Sequence, residues 1–122
     1  MQKLLIKGKK VLSGLISISG SKNATLPILA ATILSKKVIL KNVPFVKDVF
    51  TMIELLNYIG LKIIINKKNN SLKITNLKEQ LNTIAPYKLV KTMRAGVLVL
   101  GPLVAMYKKA KVSLPGGCAI GA

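Results

Sequence analysis

The chain has 122 residues, of which 51% are apolar, so its length suits one domain or part of a larger one. It carries 20 basic residues against three acidic ones, a formal net charge of +17, and it has one cysteine and no histidine. This composition excludes a disulfide framework, a Cys/His zinc site and a nucleophile–histidine pair built from this chain alone.

The positive charge first suggests a nucleic-acid or anionic-membrane partner. However, 19 of the basic residues are lysines and Arg94 is the single arginine, whereas arginine dominates the reading of DNA bases. The chain is also rich in isoleucine and asparagine, which share AT-rich codons with lysine. Compositional drift of the genome explains the charge at least as well, so we expect no specific nucleic-acid partner.

The mean hydropathy of +0.49 is high for a soluble protein. Residues 95–107 form an apolar stretch that as a helix would span roughly 20 Å, short of the roughly 30 Å hydrocarbon core of a membrane. The first ten residues alternate lysine with apolar residues, and no apolar region of a signal peptide follows. We therefore expect a soluble, cytoplasmic protein with no membrane partner.

The first part of the chain predicts short strands and one helix. Apolar and polar residues alternate over Leu15 to Ser19, and Asn23 can cap a helix after the break at Gly20-Ser21. The elements expected here are strands at 3–7, 15–19 and 37–41 and a helix from Asn23 to about Leu34.

A second helix is predicted over about 46–59, because apolar residues recur at spacings of three and four and Gly60 follows as a C-cap. The later elements are a hairpin of strands 61–65 and 72–75, a loop over 76–86, a mostly helical stretch over 87–105 disturbed at Gly101-Pro102, and a strand at 111–114. This order is typical of the α/β class with parallel crossovers. The chain stops where another helix is expected, which suggests a fragment or a truncated gene product.

Gly20-Ser21-Lys22-Asn23 lies between a predicted strand and a helix N-terminus. Free backbone amides, the positive end of the helix and the Lys22 ammonium group would together suit an anion. The simpler alternative is a turn with an asparagine cap and a surface lysine, and the spacing alone favours that alternative.

Lys88, Lys91 and Arg94 are spaced by three residues, so they would share one side of a continuous helix. Arg94 could hold a phosphate or carboxylate through two parallel hydrogen bonds. An ordinary solvated basic stripe explains the same spacing.

Gly116, Gly117 and Cys118 form a loop of small residues that lets a ligand approach closely. A thiol in a positively charged, exposed loop is suited to reactivity, whereas a lone cysteine is ordinarily buried and inert. Both interpretations stay open on local grounds. No complete dinucleotide-binding or P-loop motif is present.

Three segments, taken together, resemble the UDP-N-acetylglucosamine 1-carboxyvinyltransferases. They are ISISGSKNATLPIL at 16–29, APYKLVKTMRA at 85–95, and GPLV at 101–104 followed by VSLPGGCAIGA at 112–122. The resemblance runs the whole length of the chain but covers about the first third of the family's protein.

The resemblance implies an α/β enolpyruvyl transferase fold, an inside-out α/β barrel of repeated βαβαββ units, which would be incomplete here. Residues 1–20 would be initial strands of the far domain, ending at a hinge near Gly20 to Lys22. Residues 21–122 would form part of the substrate-binding domain, truncated after the cysteine loop.

The activity implied by the resemblance is transfer of the enolpyruvyl group of phosphoenolpyruvate to the 3-hydroxyl of UDP-N-acetylglucosamine, through a tetrahedral ketal, with release of phosphate. This is the first committed step of peptidoglycan synthesis, and it requires no cofactor or metal. Lys22 and Asn23 would contact phosphoenolpyruvate and the sugar, and Arg94 would line the substrate pocket. Cys118 would be the catalytic proton donor and the residue that fosfomycin alkylates.

The sequence departs from the family in what it lacks. The family's general base and uracil-binding residues lie beyond Ala122, and a larger aromatic side chain often stands near Leu98. We therefore expect the 122-residue chain alone to be inactive. The alternatives are the shikimate-pathway enolpyruvyl transferase, which lacks the loop cysteine, a basic nucleic-acid-binding protein, and a decayed gene product.

Overall fold

The computed structural model of the protein describes residues 3–77, 79–91 and 93–114. Its helices are α1 (Lys22–Ala31), α2 (Lys47–Ile59), α3 (Tyr87–Val90) and α4 (Leu100–Tyr107), with 3-10 turns at Thr32–Leu34 and Arg94–Val99. Its strands are β1 (Lys37–Leu40), β2 (Lys62–Asn66), β3 (Ser71–Thr75), β4 (Ile84–Ala85) and β5 (Lys111–Val112).

Helix α1 begins two residues earlier than a cap at Asn23 would allow, because Ser21 is the N-cap. The Ser21 backbone is extended, with φ −85° and ψ 129°, and its hydroxyl accepts a hydrogen bond from the Ala24 amide at 3.4 Å. The Thr25 hydroxyl donates to the Ser21 carbonyl at 2.8 Å. The predicted Asn23 cap is therefore wrong: serine caps as well as asparagine, and Asn23 lies inside the helix.

Helix α2 confirms the predicted apolar face. Val49, Met52, Ile53, Leu56 and Ile59 are all buried, and Leu55 joins them. Gly60 ends the helix with a φ of 123°, which favours glycine, and its amide donates to the Leu56 carbonyl at 3.0 Å.

The main sheet has the strand order β1-β3-β2, and both neighbouring pairs are antiparallel. The predicted hairpin is confirmed as β2 and β3. Strands β1 and β2 run parallel to each other with β3 between them, and α2 connects them. Hydrogen-bonded parallel pairing instead joins β4 to β5, where Ala85 lies opposite Val112.

One face of the sheet packs on the helices and the other faces solvent. Leu72 and Ile74 of β3 are buried, while Lys73 between them is exposed, as the alternation of side chains along a strand requires. The buried core continues from β3 through α2 and α1 to α4, where Leu103 is fully buried.

Residues 3–19 form neither helix nor strand, so the strands predicted at 3–7 and 15–19 are absent from the structure. Every side chain in this segment is exposed, including Leu4, Val11 and Leu15. A strand needs a neighbouring strand for its backbone hydrogen bonds, and neither β1, β2 nor β3 pairs with this segment.

The stretch predicted as one helix over 87–105 is divided. Helix α3 ends at Val90, a 3-10 turn starts at Arg94, and α4 starts at Leu100. The boundary at Leu100 falls next to the predicted disturbance at Gly101-Pro102, and Pro102 is tolerated because it lies in the first turn of α4. No helix in the described ranges is long and apolar enough to cross a membrane.

Leu56→Ala should be among the most destabilising changes in the core. Leu56 is fully buried on α2, so truncation should lower the free energy of unfolding by about 2–5 kcal/mol, measured by urea denaturation. Leu4→Ala is the matched control: Leu4 is exposed, and the change should stay within about 0.5 kcal/mol. Equal losses in the two variants would contradict the core described above.

Candidate functional site

Lys22 and Asn23 are the first two residues of α1, directly after the Ser21 cap. Both are exposed, so their side chains are open to a ligand from solvent. The first backbone amides of a helix lack partners within the helix, and this end carries the positive pole of the helix dipole. The structure thus places Lys22 and Asn23 at the positive end of the α1 dipole.

Lys22 contacts the start of a second helix. Its Nζ lies 2.9 Å from Oδ2 of Asp48, which belongs to the first turn of α2. Helices α1 and α2 pack against each other, which brings their first turns together. The two side chains keep 47% and 36% of their surface exposed, so water screens the pair and it contributes about 0–1 kcal/mol to stability.

Asp48 was missed by the sequence reasoning. The pair joins residues 26 positions apart, and no local spacing points to it. One signal was available: Asp48 is one of three acids in a chain with 20 bases, and it lies at the start of a strongly periodic helix.

Gly20 fixes the approach of the chain to α1. A Cβ atom at this position would overlap the backbone carbonyl oxygen of Asn42 and lie 3.0 Å from Cδ of Pro44. The loop after β1 therefore fits closely against the turn before α1. The side-chain amide of Asn42 also donates a hydrogen bond to the backbone carbonyl of Ile18 at 3.4 Å.

Gly20→Ala should lower the free energy of unfolding by about 1–3 kcal/mol, because a methyl group there meets fixed backbone. Gly101→Ala is the control, since the added Cβ has no atom within 4 Å and alanine favours a helix. Urea denaturation compares the two. A Gly20 variant as stable as the Gly101 variant would show that the turn can relax without cost.

Arg94 is the first residue of the 3-10 turn Arg94–Val99, which packs against α1. The predicted stripe on one continuous helix is wrong, because Lys88 belongs to α3, which ends at Val90. Lys88, Lys91 and Arg94 are all exposed. The structure brings the segment that carries Arg94 to the helix that Lys22 begins, but it does not place the three basic residues on one helical face.

Cys118 and the glycines before it lie outside the described residues. The predicted reactive-thiol site is therefore a statement about the sequence alone.

A cavity of about 400 Å³ lies elsewhere, where β1 begins and β3 ends. Lys36 and Asn76 flank these strand ends, and none of Lys22, Asn23 or Arg94 lines the cavity. Since Asn42 follows the other end of β1, the cavity and the turn at Gly20 lie at opposite ends of that strand.

The chain is similar in sequence to several known proteins. A UDP-N-acetylglucosamine 1-carboxyvinyltransferase of Pelagibacter ubique is 62% identical over 99% of the chain, and those of Coxiella burnetii and Rickettsia bellii are 56% and 54% identical over 99% and 100%. The chain spans 28–29% of the length of these relatives. The resemblance that the three motif segments carry is thereby confirmed.

The fold has a counterpart among solved structures. The enolpyruvyl transferase NikO from Streptomyces tendae superposes with a TM-score of 0.67 at 20% identity, covering 79% of this chain and 22% of that one. At 20% identity the likeness concerns the fold alone, and it confirms the predicted enolpyruvyl transferase fold. The sequence profile of EPSP synthase (3-phosphoshikimate 1-carboxyvinyltransferase) matches residues 6–122. Because that match takes in nearly the whole chain, the chain belongs to the EPSP synthase family.

Proposed function

We propose that the chain is part of a cytoplasmic enzyme that transfers the enolpyruvyl group of phosphoenolpyruvate to the 3-hydroxyl of UDP-N-acetylglucosamine, releasing phosphate in the first committed step of peptidoglycan synthesis. The observation that carries this proposal is the 54–62% identity, over nearly the whole chain, to relatives named for that activity. The family profile is named after the shikimate-pathway enzyme, the alternative activity, but these relatives are named UDP-N-acetylglucosamine 1-carboxyvinyltransferase.

The proposed chemistry is addition followed by elimination. The sugar hydroxyl adds through its oxygen to C2 of phosphoenolpyruvate and gives its proton to a base beyond Ala122, while an acid delivers a proton to C3, which gives a tetrahedral ketal. Loss of phosphate from C2 and of a proton from C3, which returns to the conjugate base of that acid, restores the double bond. We assign the proton delivery to Cys118, and we assign contacts with phosphoenolpyruvate and the sugar to Lys22 and Asn23.

The position of Lys22 supports its assignment to an anionic substrate. The Lys22 side chain stands at a helix N-terminus and keeps 47% of its surface exposed, so it is accessible to a phosphate group from solvent. Arg94 joins the proposed pocket as a second cation, on a segment that packs against α1. Cations placed where charge develops stabilise the transition state of such a transfer.

We also propose that residues 1–20 belong to a second domain and that 21–122 form part of the substrate-binding domain, with a hinge near Gly20 to Lys22. The exposure of every apolar side chain in 3–19 supports this division, because such a segment is stable when another surface covers it. The close fit of Gly20 against Asn42 marks where the packed part begins.

A chimaera tests the function. This chain would replace the matching 28% of the Pelagibacter ubique relative, and phosphate release would be followed with both substrates present. We expect sugar-dependent release from the chimaera and none from the 122-residue chain alone, because the pocket needs residues from the rest of the relative's length. A soluble, folded chimaera without turnover would contradict the proposed activity. Turnover by the chain alone would contradict its dependence on other residues.

A further inference from the structure

We propose that Asp48 is the resting counter-ion of Lys22: it holds the Lys22 ammonium group at the start of α1 and is displaced when a phosphate-bearing ligand binds, so that it lowers the affinity of the site for phosphate. Taking Lys22 as the phosphate ligand rests on the proposed function. The role of Asp48 comes from the geometry, and no motif of the sequence pointed to it.

The contact is formed by the tertiary structure. Asp48 Oδ2 lies 2.9 Å from Lys22 Nζ across 26 residues of sequence, at the point where the first turns of two packed helices meet. Gly20 holds the chain before Lys22 tightly against the loop that leads from β1 to α2. The close packing before Lys22 therefore brings the lysine to the carboxylate.

The composition makes this pairing informative. With three acids for 20 bases, only a few lysines can have an acidic partner, and Asp48, one of the three acids, lies at Lys22. Two helix N-termini and a lysine would otherwise concentrate positive charge at this point. Asp48 offsets that charge while the site is empty.

The exposure of the ion pair lets a ligand replace Asp48 as the partner of Lys22. Asp48 keeps 36% of its side-chain surface, so its carboxylate can return to water at little cost, and it retains a favourable place in the first turn of α2. An ammonium group has three N–H donors, and a phosphate group offers more charge and more acceptor oxygens than one carboxylate. Phosphate should therefore take Lys22 from Asp48.

The test titrates inorganic phosphate into the chain and follows the ε-methylene signal of Lys22 by NMR, with the signal identified from its loss in Lys22→Met. Asp48→Asn should tighten phosphate binding about fivefold, the equivalent of about 1 kcal/mol, because an exposed competing ion pair is worth up to about that much. Asp48→Glu keeps the charge and should stay within about twofold of the unchanged chain.

Glu54→Gln is the matched control, because it removes the same charge from an exposed position on the same helix. Its effect on phosphate binding should be less than about 1.5-fold, since water and salt screen the more distant charge. At saturating phosphate, the Lys22 chemical shifts of the unchanged chain and of Asp48→Asn should converge, because Lys22 then contacts phosphate and not residue 48 in both proteins. If Asp48 had only a structural role in α2, the two chemical shifts would stay different.

Phosphate binding that is unchanged or weaker in Asp48→Asn would overturn the proposal, and so would a Lys22 signal that phosphate moves in neither protein. These results are distinct from failure of the proposed function. Tighter phosphate binding in Asp48→Asn together with an inactive chimaera would support the counter-ion role and contradict the proposed enolpyruvyl transfer. An active chimaera with no effect of Asp48→Asn would support the enolpyruvyl transfer and contradict the counter-ion role.

Discussion

Cys118→Ala in the chimaera is expected to lower kcat/KM for enolpyruvyl transfer by about 10²–10⁴-fold, the usual contribution of a positioned proton donor. Alanine has no proton to deliver to C3 of phosphoenolpyruvate, so protonation would have to come from water. The variant should also lose alkylation by fosfomycin, which intact mass measures directly. Initial rates of phosphate release at varied phosphoenolpyruvate give the kinetic comparison.

Cys118→Asp separates the two roles of the thiol. A carboxylic acid can donate a proton, so this variant should recover part of the activity that alanine loses, while fosfomycin should no longer alkylate the protein. Alkylation that continues in Cys118→Ala, or activity that survives there undiminished, would remove Cys118 from the mechanism.

Lys22→Met is expected to lower kcat/KM of the chimaera by about 10²–10³-fold, the range seen when one preorganised group that stabilises developing charge is removed. Methionine keeps the length and the apolar stem of the side chain and removes the charge. Stability should change by less than about 1 kcal/mol, because the ion pair with Asp48 is exposed on both sides. A urea titration alongside the kinetics confirms that activity is lost without unfolding.

Lys62→Met supplies the control for Lys22, since Lys62 is exposed on β2 and has the same chemistry. It should leave kcat/KM within about twofold, because a single distant surface charge is screened by salt. Lys22→Arg keeps the charge but changes the geometry of the donors, so partial activity is expected. Similar losses in Lys22→Met and Lys62→Met would indicate a general effect of net charge and contradict a specific role for Lys22.

Much of the local structure could be predicted from the sequence. Helix α2 was predicted over 46–59 and spans Lys47–Ile59, because a periodic apolar face and a terminal glycine are both local signals. The hairpin of β2 and β3 was equally readable from two apolar runs around a polar turn. The family could be identified because three motif segments recur in order.

Predictions were less successful where a segment's structure depends on its contacts with distant parts of the chain. Residues 15–19 have the alternation of a strand, but alternation gives only the tendency, and no neighbouring strand pairs with them in the described structure. The stretch over 87–105 was divided because packing against α1 and α2 competes with a single continuous helix. Ser21 displaced Asn23 as the cap because the point where the chain turns is set by the fit of Gly20 against Asn42.

The sequence by itself determined the family, the α2 helix and the hairpin, because each is encoded in spacing or motif within a short stretch. Through the family resemblance it also proposes Lys22, Asn23, Arg94 and Cys118 as site residues. Only the tertiary structure decided that Lys22 meets Asp48, that Gly20 has no room for a side chain, and that Arg94 starts a separate turn against α1. The physical reason is that these features depend on which surfaces come into contact, and contacts between distant residues are fixed by packing of the whole core.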